Sequence, residues 1–155
     1  MSEHLARIEW KRQSFETFVD NKYSRAHRWE FDGGISLAAS ASPLIVPTPY
    51  SVEANVDPEE AFVASLSSCH MLFFLSFAAQ NQYVVESYSD SAKGKLGKDN
   101  LGKTSMTEVW LRPVVIFSGD RVPSRDKIES MHHQSHDRCF IANSVKTKVV
   151  IELGD

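Results

Sequence analysis

The chain has 155 residues, the length of one domain, and 42% apolar with 24% charged side chains places it among folded globular proteins rather than disordered ones. Lys and Arg total 17 against 20 Asp and Glu, a net charge of -3, and no basic run forms a stripe that could track a phosphate backbone, which excludes nucleic acid as an expected partner. Two cysteines, Cys69 and Cys139, are too few for a disulfide-stapled fold.

The opening stretch MSEHLARIEWKR is charged from its third residue and lacks the apolar run of a secretory signal, which points to the cytoplasm. In that reducing compartment a permanent bridge is unusual, so the cysteines are either inert core residues or a redox pair. Residues 6–11 and 24–31 read as short half-apolar strands. The second runs into Asp32-Gly33-Gly34, a turn that hands the chain to Ile35-Ser36-Leu37 as a hairpin. Residues 42–57 carry Pro43, Pro47 and Pro49 without periodicity and form a surface loop.

Asp57-Pro58-Glu59-Glu60 then places an N-cap carboxylate, a proline at the first helical position and a glutamate at the third. A helix runs from here to about Ala79, and its nearly all-round apolar character predicts a place in the centre of the molecule. Its uncharged part, residues 61–79, approaches the length of a membrane span. Ser65, Ser67, Ser68, His70 and Ser76 interrupt that part, so a core helix is expected and no membrane partner. Residues 84–98 and 104–117 alternate as two strands of a second hairpin, with Pro113 marking an edge or a bulge. Ser124 opens a helix that ends near His136-Asp137, and residues 139–143 follow as a short second helix or a bent continuation. Residues 146–152 form the last strand. The order of elements predicts a single α+β domain over residues 1–155.

Cys69 lies mid-helix, with Ser65, Leu66, Leu72 and Phe73 on its face, a setting that suits an inert buried thiol and raises a thiol's pKa unless a cation approaches. Cys139 follows the polar run His132-His133-Gln134-Ser135-His136-Asp137-Arg138, and at the start of a helix its thiolate would be favoured. His132 and His136 are one helical turn apart, as metal ligands can be, but with no third ligand at a recognisable spacing they read as a solvated helix face.

Asp57-Pro58-Glu59-Glu60, followed by residues 61–69 ending at Cys69, resembles the NPE-x(9)-C helix of the OsmC/Ohr family of thiol-dependent hydroperoxide reductases. His136-Asp137-Arg138-Cys139, with residues 141–145 after it, resembles that family's second-cysteine region, and the likeness runs from Tyr23 to Glu152. The resemblance implies an α+β intertwined homodimer with antiparallel sheets around two central helices. It implies a peroxidase in which Cys69 is the nucleophile and Cys139 the resolving thiol, forming a Cys69 sulfenic acid and then a disulfide. It further implies an arginine that holds thiolate and peroxide, matched by Arg25 with Arg28 as fallback, and a glutamate holding the arginine, matched by Glu59. His27 sits in the same segment without a role. No bound cofactor is expected; the substrate is an organic hydroperoxide, with hydrogen peroxide as a further candidate, and an external dithiol, a lipoyl or thioredoxin-like protein, resets the pair.

Glu59 and Cys69 are ten residues apart, about 15 Å along one helix, so a site containing both requires a second subunit. The chain departs from the family where Phe140-Ile141 follows Cys139 and in the histidine-rich lead-in, which leaves the preferred peroxide and the reductant open. Two other readings stand beside the peroxidase: a redox sensor or binding protein using the same pair without fast turnover, and a cysteine hydrolase, which needs a base aimed at the thiol where His70 points off the Cys69 face.

Overall fold

The computed structural model describes residues 1–154, an α+β arrangement in two compact units, residues 1–61 and residue 62 onward. In the first unit, strands β1 (Ala6–Glu9), β2 (His27–Phe31) and β3 (Ser36–Ala39) form an antiparallel sheet with β2 in the middle, where Trp29 stands between Ile8 and Leu37 in cross-strand register. The first hairpin forms as the sequence predicts. Its turn closes with Gly34 at φ 88°, a left-handed backbone that suits a residue without a Cβ. The loop after β3 returns alongside the sheet edge, Val56 bonding Ala38 and Ser40 through its backbone, while the Ser40 hydroxyl accepts from the Val52 N–H at 2.9 Å.

Helix α1 (Pro58–Gln80) starts where the motif places it. Asp57 Oδ1 accepts from the Glu60 N–H at 2.8 Å and Glu60 Oε2 accepts from the Asp57 N–H at 3.2 Å, a reciprocal capping box that satisfies two otherwise unpaired donors. The expectation of a helix buried all round does not hold. Only Leu66, His70, Phe74 and Ala78 are buried, one residue in four along a single narrow stripe, and Leu72 is 61% exposed. Among the described residues α1 is the one helix long and apolar enough to cross a membrane by length and composition. Two of its polar members are tied within the second unit, Ser67 Oγ donating to Asp90 Oδ2 and His70 reaching the second helix.

The two strands expected after α1 are four. Strands β4 (Val84–Asp90) and β5 (Lys93–Lys98) are separated at Ser91-Ala92, and β6 (Thr104–Leu111) and β7 (Pro113–Ser118) at Arg112. Strand β4 pairs with β7 and β5 with β6, both antiparallel, so one long hairpin bends into two sheets. Pro113 occupies the first position after the bend, where a missing N–H costs no ladder bond. Gly94 on β5 is required by close packing: a Cβ there would collide with Val63 of α1 and Met106 of β6. Helix α2 (Arg125–Arg138) is capped by Ser124, whose side chain accepts from the Lys127 N–H at 3.3 Å. A 3-10 turn (Ala142–Ser144) leads to β8 (Lys148–Ile151), which joins β6 in parallel.

Two apolar clusters are strung along α1. Leu66 packs with Val109 and Leu111 of β6, and Phe74 and Ala78 pack with Met131 of α2. His70 lies between them in sequence, so the buried stripe changes from apolar to polar and back within three turns.

Candidate functional site

The two cysteines are brought together. Cys69 on α1 is half-buried, Cys139 is 1% exposed, and the two thiols are near enough for Cys69 to raise the pKa of Cys139. The sequence expectation for Cys139 needs correcting. It does not open a helix; it is the C-cap of α2, its N–H bonding the His136 carbonyl at 3.3 Å. At that end the helix dipole disfavours a negative charge. Burial pushes the Cys139 thiol up to about 11, and the hydrogen bond and charge of Cys69 push the same way. The N–H of Ala142, donating to Cys139 Sγ at 3.4 Å, only partly offsets this.

Beside the thiols lies a histidine cluster, and its member His132, expected on a solvated helix face, is buried instead. His132 is 2% exposed and His70 is 1% exposed, and His70 Nε2 meets His132 Nδ1 at 2.9 Å with the rings 4° from parallel. Phe74 stacks on His132 at 4.2 Å. Burial lowers His70 to about 4, with His136 adding to the effect and Asp90 opposing it. Burial likewise lowers His132 to about 3, followed by the influence of His70. Both rings are therefore neutral at neutral pH, and one donates the shared proton to the other. His70 Nδ1, His132 Nε2 and His136 Nδ1 are buried without a hydrogen-bond partner. Among the described residues no group of three or more His, Cys, Asp or Glu side chains could hold a metal ion. The signal for the pair was present as a histidine within the repeat Leu66, His70, Phe74, but its partner 62 residues away was not.

In the first unit, the Arg25 guanidinium donates to the carbonyls of Asn21 and Tyr23 and to Asn21 Oδ1, and it lies 3.7 Å from the Tyr23 ring centroid. Arg28 is exposed and faces Glu30 at 4.0 Å. His27 Nδ1 bonds the Arg25 carbonyl at 2.7 Å and Nε2 accepts from the Trp29 indole at 2.9 Å, which fixes the proton on Nδ1. Glu59 occupies the second helical position of α1 and stays out of the capping box, which Glu60 completes.

Residues 52–154, two thirds of the chain and including both cysteines, match the sequence family described as OsmC-like protein. The chain belongs to the OsmC family. An OsmC-like protein of unknown function from Vibrio cholerae is 64% identical, covers 99% of this chain and 100% of its own, and superposes with a TM-score of 0.98. An organic hydroperoxide resistance protein from Legionella pneumophila shares the OsmC fold at 16% identity and a TM-score of 0.66, over 99% of this chain and 96% of that one. A Bacillus subtilis organic hydroperoxide resistance protein does so at 16% identity and 0.64, over 97% and 98%. No curated protein matches the chain. Phe140, which follows Cys139, is 71% exposed and stands edge-on to Phe73 of α1 at 5.1 Å.

Proposed function

We propose that this OsmC-family chain is a thiol-dependent peroxidase that reduces organic hydroperoxides, and hydrogen peroxide by the same step. The observation that carries the reading is the nearness of Cys69 on α1 to Cys139 at the end of α2, close enough for one thiol to act on the other. The Cys69 thiolate attacks the distal peroxide oxygen, the O–O bond breaks, and the departing alkoxide takes a proton to leave as the alcohol. Cys69 is then a sulfenic acid. Cys139 attacks that sulfur, the S–O bond breaks, and water leaves with the Cys139 proton, giving the Cys69–Cys139 disulfide. An external dithiol, lipoyl or thioredoxin-like, supplies the two electrons that restore both thiols.

The electrostatics support this order of events. Cys69 is one of the groups that keep Cys139 protonated. Conversion of a Cys69 thiolate to a neutral sulfenic acid removes that charge, so the resolving thiol becomes more acidic when it is needed. By the family resemblance, Arg25 orients thiolate and peroxide and Glu59 holds the arginine. Three of the five guanidinium protons of Arg25 are already engaged within its own loop, which leaves two for that work. Glu59 and Cys69 stand on one uninterrupted helix, so their joint use implies a homodimer in which each copy completes the other's site. Large apolar side chains left exposed in the first unit, such as Ile8, Phe15, Val19 and Leu44, are consistent with a partner copy. The proposed compartment is the cytoplasm, where dithiol reductants operate.

The test is thiol counting with intact mass after one equivalent of cumene hydroperoxide, followed by turnover with dihydrolipoamide or thioredoxin. The wild type is expected to lose both thiols as an intramolecular disulfide, Cys139→Ser to stop after gaining one oxygen, and Cys69→Ser to stay unreacted. Undiminished turnover by Cys69→Ser would sink the reading.

A further inference from the structure

His70 follows Cys69 directly on α1, and His132 lies seven residues before Cys139 on α2, two turns along the same helix face. The two imidazoles join the helices by one directional bond of 2.9 Å, buried from solvent. Two leucines would fill such a space without leaving ring nitrogens unpaired, and an apolar contact would be the less costly core. What an apolar contact lacks is direction: it tolerates sliding by an ångström or more, whereas a hydrogen bond weakens steeply when stretched or bent. Sliding matters here because a disulfide requires sulfurs at about 2.05 Å with a defined torsion, and a misplacement of about 1 Å costs a reaction of this kind about a hundredfold.

We propose that the His70–His132 hydrogen bond is a positioning clamp that sets the register of α1 against α2 and so the approach of Cys69 to Cys139. The clamp rests on the peroxidase reading only for its use; the geometry it governs is that of the thiol pair itself. Three neighbours act on it. Asp90 of β4 favours a charged His70, His136 of α2 disfavours one, and Phe74 of α1 holds the His132 ring in plane, while Tyr88 of β4 packs in the Phe74 cluster with its hydroxyl buried without a partner.

The experiment reads the effective concentration of the thiol pair from its equilibrium with reduced and oxidised glutathione, in which glutathione disulfide is reduced to two thiols as the Cys69–Cys139 bond forms. No peroxide enters, so a chain inert to peroxide can still pass this test, and failure of the two proposals is distinguishable. Two replacements of one residue separate clamp from packing. His132→Phe keeps the aromatic plane against Phe74 and deletes the bond. His132→Asn loses ring volume but keeps a polar atom near the Nδ1 position. A packing role predicts that Phe is the milder change; the clamp predicts the reverse. His132→Asn should lie within about threefold of wild type, and His132→Phe should fall by about tenfold or more. The pair His70→Gln and His70→Leu repeats the contrast from α1, so a single variant that fails to fold does not decide the matter. An effective concentration that is unchanged in His132→Phe and His70→Leu, or that falls equally in both members of each pair, overturns the proposal.

Discussion

Asp90 accepts the backbone N–H of Arg112 at 2.6 Å across the corner where one long hairpin bends into two sheets. Its other carboxylate oxygen accepts from Ser67 of α1, so one side chain ties the helix to both halves of the bend. Asp90→Ala removes both acceptors and leaves a backbone donor unpaired, at a cost of about 1–3 kcal/mol. Asp90→Asn keeps an acceptor for Arg112 and should cost less. Chemical denaturation of the two variants checks the ranking, which is contradicted if Asn is the more damaging.

The two thiols should be alkylated in sequence. With its pKa near 11, Cys139 is thiolate to about one part in a thousand at pH 8, and it is closed off from solvent, whereas Cys69 is half-buried. Iodoacetamide at pH 8 should give one adduct, on Cys69, with Cys139 modified only after denaturant is added. Peptide mapping that finds Cys139 labelled first would contradict the assignment.

Acid should weaken the fold through the buried imidazoles. His70 and His132 titrate near 4 and 3 when folded, both lowered mainly by burial, against 6.5 for an exposed ring. Below 6.5 the unfolded chain therefore binds more protons than the folded one. Their contribution is complete above pH 6.5 and is lost as pH falls through about 4 and then 3, with a slope of about 1.4 kcal/mol per pH unit for each proton. His70→Gln removes one titrating ring and should flatten the dependence of unfolding free energy on pH between 6 and 4 by about one proton. A slope unaffected by that change would contradict the protonation assignment.

Gly94 has no room for a side chain. A methyl group there meets Val63, whose branched side chain cannot swing clear, and the more yielding end of Met106. Gly94→Ala should destabilise by about 1–3 kcal/mol through overpacking, the reverse of the modest gain alanine brings at an open strand position. Thermal unfolding reads the sign. The double variant Gly94→Ala with Val63→Ala should recover part of the loss.

Local signals carried the elements that depend on neighbours in sequence. Asp57, Pro58 and Glu60 announce the start of α1 because a capping box is made entirely within four residues, and Ser124 announces α2 for the same reason. The first hairpin was legible in Asp32-Gly33-Gly34. Continuous alternation concealed the breaks at Ser91-Ala92 and Arg112, since a strand that changes sheets keeps its period of two through the bend. The site divided in the same way. Cys69 and Cys139 stood out through spacing, but the environment of Cys139 did not. Its polar flank suggested a helix start that favours the thiolate, while Ile141, Ala142, Val145 and Val149 pack beyond it against a core built around Leu66. The partner of His70 was hidden for the related reason that His132 sits in a run of polar residues of which His133, Gln134, Asp137 and Arg138 face solvent.

The alternation along α1 of Leu66, His70 and Phe74 has a dynamic consequence. Each apolar cluster has its own sheet, β5-β6-β8 for Leu66 and β4-β7 for Phe74, so the second unit holds two candidate cooperative blocks that share one helix. What joins them at mid-helix is a hydrogen bond between neutral rings rather than a continuous apolar contact. Partial opening is least costly there, and amide exchange from the middle of α2 should be faster than from β6 or β7. Such an opening would uncover Cys139 while leaving both sheets intact, giving an external dithiol a way to the one sulfur that the closed fold keeps from solvent.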